Sequence, residues 1–396
     1  MDLAKGLETL LVVIAVAALT PLVVALLPGP RLPQIVVLIA GGVLVGPQGL
    51  GLAETPSIQL LANVGLGFLF LLAGYELDLG LFRERPGRLA VVAWLVTLTL
   101  AAGLVGVLSA VGFVRAFVPV ALGLTTTALG ALLPILRDND MLGGRFGRYI
   151  LAAGAVGELF PILAIAIFLG ANSKFVALLS LASVGVLAVI LTFAPRLVRG
   201  NRLERILHEG EGATAQTTLR WSILLLLFLL VIAEEFGLDV VLGAFLAGIV
   251  LRRWAPGDVH SLEGKLDAIG YGFFIPVFFV SSGMALDVRS IAEAPARLLV
   301  FFVLLLLVRG LPALVVYRSA LAPAQRVQMM FLTATALPLL VALAEIGLRN
   351  GTMLRENAAA LVGAGALSVL VFPTIVVAME RRRRARAVPS ELAPQE

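Results

Sequence analysis

The chain contains no cysteine, which excludes disulfide bonds, thiolate nucleophiles and cysteine-ligated zinc. Its two histidines, His208 and His260, both fall in polar connections between apolar segments, so a histidine relay across a membrane is excluded. Charged residues make up only 14% of the 396 residues. No Ser-His-Asp, Cys-His or HExxH pattern is present, which leaves a membrane enzyme without a catalytic set.

Apolar residues dominate what is present. They make up 60% of the chain, and a mean hydropathy of +1.03 is too high for a soluble globular protein. The net charge of +5 does not indicate nucleic-acid binding, because the basic residues lie between and after the apolar segments. We expect no cleavable signal, since the first apolar run, 10–27, is long enough to span a membrane and lacks a small-residue cleavage site.

The apolar segments predict an all-α polytopic membrane protein with thirteen transmembrane helices. These helices cover about 9–27, 33–47, 58–79, 89–111, 116–136, 147–170, 175–195, 219–237, 239–252, 266–286, 297–317, 325–348 and 356–379. With this count, twenty-two of the thirty basic residues fall on one face and seven on the other. The excess predicts a cytoplasmic C-terminus and an outside N-terminus in the cell inner (plasma) membrane.

An internal repeat relates helices 1–6 to helices 8–13. The segment LAGYELDLGLFRERPGRL at 72–89 aligns without a gap, at an offset of 209, within the segment at 280–298, and Asp78 then matches Asp287. At an offset of 208, TTTAL at 125–129 matches TATAL at 333–337, and Gly157 falls opposite Gly365. A displacement of seven helices inserts the halves in opposite directions, an inverted repeat typical of secondary transporters.

The matched threonine-rich stretches predict two crossing broken helices. Each stretch interrupts an apolar span and is followed by residues that weaken a helix, which are Gly130 and Pro134 in the first and Pro338 in the second. Unwound backbone at membrane depth can line a watery cavity, where carbonyl and hydroxyl oxygens suit a small cation. The candidate residues of the two breaks are Thr125, Thr126, Thr127, Gly130, Thr333, Thr335 and Pro338. The alternative is that each threonine bonds its own helix and proline makes a simple kink.

Glu158 is the candidate ion-binding and proton-binding residue. It lies near the middle of an apolar span, where a carboxylate costs roughly 2.5 to 3.5 kcal/mol and must be protonated, ion-bound or paired. Arg309 lies inside another apolar span and is the candidate charge partner. Alternatively, the two form a structural ion pair without a transport role, or Arg309 only neutralises the carbonyl ends of half-helices.

Five segments together resemble the monovalent cation:proton antiporter-2 family, whose members exchange sodium or potassium for protons. They are GGVLVGPQGLGL (41–52), FLLAGYELDL (70–79), the stretch that begins TTTALGALLP, LGAFLAGIVL (242–251) and FFVSSGMALDV (278–288). The resemblance implies a homodimer with a scaffold part, 9–79 and 219–286, and a mobile transport part, 89–170 and 297–379, that moves like an elevator. Helix 175–195 is then a linker and 380–396 a cytoplasmic tail, as in a member without a regulatory domain.

The sequence departs from this family at one point. The resemblance places two adjacent aspartates, or Asn-Asp, where this chain has Gly157 and Glu158, so that Glu158 takes the role of the ion-binding residue. Arg309 takes the position at which electroneutral relatives have arginine. Because arginine stays protonated, only one group can load a proton, which favours electroneutral exchange. Gly157 then provides space rather than a ligand.

The predicted function is antiport of Na⁺, or of Li⁺ or K⁺, against protons that compete for Glu158, with Thr126 and Thr127 as further ligands. We expect no cofactor beyond the transported ions and no nucleic-acid partner; membrane lipid and a second copy are the expected surroundings. The open alternatives are a sodium-coupled symporter of an organic anion on a similar fold and a non-transporting sensor. A channel is disfavoured, because only two charges reach the middle of the membrane.

Overall fold

A computed structural model of the chain describes residues 3–26, 33–77, 79–169, 174–197, 216–254 and 259–387. Across these ranges the structure is helical and contains no strand. Ten helices within them are long and apolar enough to cross a membrane. The composition explains this architecture, because a segment in lipid must satisfy its backbone hydrogen bonds internally, and a helix does so.

The helices are numbered here in chain order. They are α1 (Leu3–Leu26), α2 (Gln34–Val45), α3 (Gln59–Glu76), α4 (Arg85–Ala110), α5 (Phe117–Gly123), α6 (Leu129–Asp138), α7 (Gly144–Phe168), α8 (Lys174–Leu197), α9 (Thr217–Glu235), α10 (Val240–Trp254), α11 (Val259–Ile269), α12 (Ile275–Ala285), α13 (Val288–Glu293), α14 (Pro295–Leu304), α15 (Leu311–Val316), α16 (Pro323–Thr333), α17 (Pro338–Arg349) and α18 (Arg355–Ala387). Two π-helical turns, Gly270–Phe274 and Leu305–Gly310, precede α12 and α15, and short 3₁₀ turns cover Thr55–Ser57, Leu79–Arg83 and Tyr317–Ser319.

The chain divides into two compact units. The first comprises Met1–Val23, Val37–Asp78 and Ile162–Leu286, and the second comprises Val24–Val36, Leu79–Pro161 and Asp287–Glu396. Each unit therefore combines segments from both halves of the predicted repeat. The helix predicted as a linker, 175–195, corresponds to α8 and belongs to the first unit.

Glycine allows the helices of the first unit to approach each other closely. A Cβ atom at Gly74 of α3 would lie 2.1 Å from the carbonyl oxygen of Phe245 in α10. A Cβ atom at Gly283 of α12 would likewise lie 2.1 Å from the carbonyl oxygen of Ile39 in α2. In lipid, where apolar side chains gain little by leaving the solvent, such close backbone contacts hold helices together.

The helices α3 and α12 end in the same way. Their last residues are 209 positions apart, which is the offset of the sequence repeat. The next residues, Leu77 and Leu286, are both extended, with φ/ψ of −66°/116° and −72°/124°. Each N–H group bonds back to the glycine three residues earlier, at 3.4 and 3.1 Å. The repeated sequence thus produces the same helix ending twice.

The second unit has an apolar core that reaches from α4 and α7 to α15. Trp94 and Phe160 pack edge to face with ring centres 5.1 Å apart, and Tyr149 and Tyr317 do so at 5.8 Å. Edge-to-face ring pairs contribute about 0.5 to 1.5 kcal/mol each beyond the burial of their area. This core packs α7, which carries Glu158, against α15 and Tyr317, which follow the turn that carries Arg309.

The predicted spans differ from the described helices in several places. Ten predicted spans correspond to the ten membrane-length spans, three of which, Leu262–Ala285, Pro295–Ser319 and Pro323–Arg349, consist of consecutive helices and turns. The predicted spans at 33–47, 116–136 and 239–252 correspond to shorter helices or to a pair of them, so the count of thirteen stays a prediction. The final helix, predicted to end at 379, continues to Ala387, because Glu380 bonds Arg383 and Arg384 one turn later. Asp78, His208 and residues 388–396 of the predicted tail lie outside the described residues.

Candidate functional site

Two helix interruptions meet in the second unit. Helix α5 ends at Gly123 and α6 begins at Leu129, which leaves the buried segment Thr125–Thr127 outside any helix. Helix α16 ends at Thr333 and α17 begins at Pro338. The residues between these ends, 124–128 and 334–337, are called the first and second break below. Both breaks fall within the threonine-rich stretches that the sequence singled out.

Hydrogen bonds join the two breaks directly. The N–H group of Ala128 donates to the carbonyl oxygen of Thr335 at 2.8 Å. The Thr127 hydroxyl donates to the carbonyl oxygen of Thr333 at 2.7 Å. Backbone groups freed from their helices therefore find partners across the site, which is how unwound backbone is tolerated at membrane depth.

The threonine hydroxyls of the first break are mostly engaged with nearby carbonyls. Thr125 donates to Leu122 at 2.7 Å, and Thr126 donates to Gly123 at 2.8 Å, so both bond the last turn of α5. This is the local bonding that the alternative interpretation expected. Each hydroxyl oxygen nevertheless keeps lone pairs that can accept a further bond.

Glu158 lies on α7 with 7% of its surface exposed, and its carboxylate faces the start of α6. One oxygen, Oε1, accepts from the N–H groups of Leu129 and Gly130 at 2.8 and 3.3 Å. The first turn of a helix offers unpaired N–H groups and a partial positive charge, which together stabilise an anion. Within the described part of the chain, Oε2 has no hydrogen-bond partner.

Arg309 lies in the π-helical turn at Leu305–Gly310 and reaches the same site. Its Nε donates to the Thr127 hydroxyl at 2.9 Å, and its Nη2 donates to the carbonyl oxygen of Ala153 at 3.1 Å. Arg309 and Glu158 are both described by the structure, and they form no ion pair with an N–O distance of 4.0 Å or less. Its role as a charge partner therefore stays a prediction, and any such action takes place through space or through Thr127.

Gly157 leaves room for the Arg309 guanidinium. A Cβ atom at this position would lie 2.6 Å from Nη2 of Arg309 and 2.6 Å from the hydroxyl oxygen of Thr127. The carbonyl oxygen of Gly157 also accepts from the N–H group of Thr127 at 3.0 Å. The absence of a side chain at 157 is thus a condition for the close packing of α7, the first break and Arg309.

The sequence interpretation missed Ser368, which supports the second break. Its hydroxyl accepts from the N–H group of Ala336 at 3.0 Å and donates to the carbonyl oxygen of Gly365 at 2.7 Å. The serine lies three residues after Gly365, and the repeat places Gly365 opposite Gly157. A hydroxyl in an apolar helix, close to the matched Gly365, was the available signal.

The geometry indicates what kind of ion the site could hold. Among the described residues no group of three or more His, Cys, Asp or Glu side chains could hold a metal ion. Glu380 is the other buried carboxylate in this part of the chain, and it is occupied by Arg383, Arg384 and Gln328. Glu158 binds the start of α6, directly after the first break, whose residues carry neutral carbonyl and hydroxyl oxygens. A single carboxylate together with such oxygens would suit a weakly held monovalent cation.

Several known proteins are similar to this chain. It is 28% identical over 324 residues to the Bacillus subtilis protein YjbQ, an alignment covering 76% of this chain and 51% of YjbQ. The chain thus spans about half the length of that relative. It is 27% identical over 293 residues to a Na⁺/H⁺ antiporter of Enterococcus hirae, covering 72% and 74% of the two chains.

The fold is similar to a solved structure of the sodium proton antiporter MjNhaP1 from Methanocaldococcus jannaschii, with a TM-score of 0.70, 16% identity and coverage of 100% of both chains. The family model described as sodium/hydrogen exchanger, transmembrane, matches residues 13–381. That family consists of transporters rather than enzymes. This multi-pass membrane protein therefore belongs to the sodium/hydrogen exchanger family.

Proposed function

We propose that the protein is a secondary active antiporter that exchanges a monovalent cation for protons at Glu158. Na⁺ is the first candidate for the cation, and Li⁺ and K⁺ are the others. The observation that carries the proposal is the buried Glu158 carboxylate, which is held at one oxygen by the start of α6 and keeps the other free of hydrogen bonds among the described residues. A free carboxylate oxygen can take either a proton or a cation.

Competition follows from the cost of a buried charge. An ionised carboxylate at membrane depth is unfavourable unless a partner neutralises it, and either a proton or a monovalent cation can do so. Among the residues that the structure describes, no guanidinium pairs with Glu158, and Arg309 donates to Thr127 and Ala153 instead. Because one oxygen cannot hold both partners, binding of one ion releases the other, and this displacement couples the two fluxes.

The neighbouring threonines differ in what they can add to cation binding. The Thr127 hydroxyl donates to Thr333 and accepts from Arg309, which fills most of its bonding capacity. The Thr126 hydroxyl donates to Gly123 and accepts from no described residue. We therefore rank Thr126 above Thr127 as a ligand, with carbonyl oxygens of the breaks completing the coordination.

Electroneutral exchange is part of the proposal. Arg309 remains charged throughout the cycle, and Gly157 contributes no second titrating group. The state loaded with a proton and the state loaded with Na⁺ then carry the same charge. One proton moves against one monovalent cation, and membrane potential should not drive the cycle.

The finer architecture is also proposed, with thirteen transmembrane helices, an inverted repeat and crossing broken helices. The matching ends of α3 and α12, and the equivalent placement of the two breaks, support it. We assign the first compact unit to the scaffold and the second, which contains the site, to a moving transport part of a homodimer. The N-terminus is proposed to lie outside and the C-terminus in the cytoplasm.

Alternating access can be tested with a single introduced cysteine, because the chain has none of its own. Thr126→Cys should react with a membrane-impermeant reagent applied from either side of the membrane. Labelling from one side alone would contradict alternating access while leaving the assignment of Glu158 untouched.

Exchange is tested in proteoliposomes that contain a trapped pH dye. Added Na⁺, Li⁺ or K⁺ should drive protons out of vesicles that contain the wild-type protein, so that the internal pH rises. Glu158→Gln should abolish this change in pH. Glu293→Gln is the matched control, because the Glu293 side chain is 73% exposed and its one ion pair among the described residues is with the neighbouring Arg289. The control should exchange at the wild-type rate.

The same assay separates the alternatives. A rate that follows an imposed potassium-valinomycin potential would contradict electroneutrality but not antiport. Proton movement only in the presence of an organic anion would indicate a symporter. No ion-dependent signal from a correctly folded protein would favour a sensor.

A further inference from the structure

A charged cavity of about 760 Å³ lies in the second unit, at the first turns of α4 and α7. Both helices are long enough to cross a membrane, and the cavity lies at their first turns. It is therefore close to one surface of the membrane, whereas Glu158 lies further along α7. Its lining residues are Glu84, Arg85, Pro86, Leu142, Gly144, Arg145, Arg148 and Tyr149. Three of the eight are arginines and one is acidic.

The three arginines are not equally engaged. Arg148 forms an ion pair with Glu84, and Arg85 donates to the Ser319 hydroxyl at 3.1 Å. Arg145 makes no hydrogen bond or ion pair with any residue that the structure describes. After the pair is counted, the cavity retains two positive charges, and one of them is free to bind a ligand.

The residues around these charges indicate which kind of anion the cavity would bind. The unpaired N–H groups at the start of α4 and α7 add partial positive charge on the same side as the arginines. Guanidinium groups suit the oxygens of a phosphate, which they can bind through two hydrogen bonds. Pro86, Leu142 and Tyr149 give the cavity an apolar wall as well.

We propose that this cavity binds the phosphate of an anionic phospholipid headgroup, with Arg145 as the principal contact and Arg85 as the second. Basic pockets at the ends of transmembrane helices bind such headgroups. A lipid accounts for both parts of the lining, because its phosphate meets the arginines while its glycerol and first methylenes meet the apolar wall. The proposal uses no residue of the ion site and does not depend on antiport.

The test measures binding of short-chain phosphatidylglycerol to the purified full-length protein in detergent, by native mass spectrometry. Arg145→Gln should weaken binding about fivefold, the effect of removing one basic residue near a lipid surface. Arg137→Gln is the matched control, because Arg137 is exposed and does not line the cavity. It should bind lipid as the wild type does, and short-chain phosphatidylcholine should bind weakly to all three proteins.

Three results would overturn the proposal. Equal binding by wild type and Arg145→Gln would remove the cavity as the site, and equal binding of phosphatidylcholine would remove the requirement for an anion. Inorganic phosphate provides a further arm: if it displaces the lipid at concentrations equal to those of the lipid itself, the lipid assignment fails. Because Arg145 has no structural partner, loss of folding is not expected, and an unchanged thermal unfolding midpoint verifies this.

Discussion

The space at Gly157 provides the sharpest prediction, because it can be worked out from distances. In Gly157→Ala the new Cβ atom would lie 2.6 Å from both Nη2 of Arg309 and the Thr127 hydroxyl oxygen, and 2.7 Å from the Thr127 Cβ. Atoms cannot remain that close, so Arg309 or the first break must shift. Inserting a methyl group into a packed interior costs about 1 to 3 kcal/mol of folding free energy.

Alanine also favours a helix over glycine by about 1 kcal/mol, which would mask part of this cost. Gly103→Ala measures that gain alone, because Gly103 lies in α4 of the same unit with no neighbouring atom within 4 Å of a Cβ. We therefore expect Gly157→Ala to be less stable than Gly103→Ala by about 1 to 3 kcal/mol, the steric cost alone. Denaturant unfolding of the two purified variants gives this difference.

The exchange assay adds a second readout for the same variants. Displacing Arg309 breaks its bond to the Thr127 hydroxyl, so Gly157→Ala should slow exchange while Gly103→Ala should not. Equal stability and equal exchange rates for the two variants would refute the argument that 157 must lack a side chain. Equal stability with slowed exchange would show that the Arg309 side chain moves at little cost in folding free energy and that its position nevertheless matters for transport.

Three further predictions concern other parts of the molecule. If protons and cation compete at Glu158, the cation concentration for half-maximal exchange should rise as pH falls, approaching about tenfold per pH unit once the protonated form dominates; a concentration independent of pH would contradict competition. Gly74→Ala should lower the thermal unfolding midpoint far more than Gly185→Ala. The added Cβ atom at 74 would lie 2.1 Å from the carbonyl oxygen of Phe245, whereas a Cβ atom at 185 would have no neighbouring atom within 4 Å. Glu380→Gln should cost about 1 kcal/mol by denaturant unfolding, since its arginine partners are half-exposed, and should leave the cation preference of exchange unchanged.

The helix breaks of the candidate site could be predicted because they depend on local chemistry and on the repeat. Threonine followed by glycine or proline in an apolar span weakens a helix wherever it occurs, so the positions of both breaks followed from composition. Glu158 was conspicuous because a charge in lipid has a high energetic cost. The threonine-rich stretches and the pair Gly157 and Gly365 share an offset of 208, which indicated that the two breaks occupy equivalent positions in the repeat.

The partners of these residues could not be predicted, because they depend on tertiary geometry. The sequence suggested Arg309 as the partner of Glu158, whereas the structure gives Glu158 the N–H groups of α6 and gives Arg309 the Thr127 hydroxyl. Nothing in the order of apolar residues around Arg309 indicated its π-helical turn. That turn adds one residue to a helical repeat and so changes the direction in which the following side chains point.

The separation of Glu158 from Arg309 bears on how one carboxylate can couple two ions. A direct ion pair would neutralise Glu158 permanently, and a proton or cation would have to displace a guanidinium held by strong bonds. Here the guanidinium is held instead by a hydroxyl and a carbonyl. We propose that its charge acts on Glu158 through space and weakens cation binding, so that the ion is released after transport. In this proposal Arg309 sets the affinity of the site without occupying it, and Gly157 permits that arrangement by leaving space for the guanidinium.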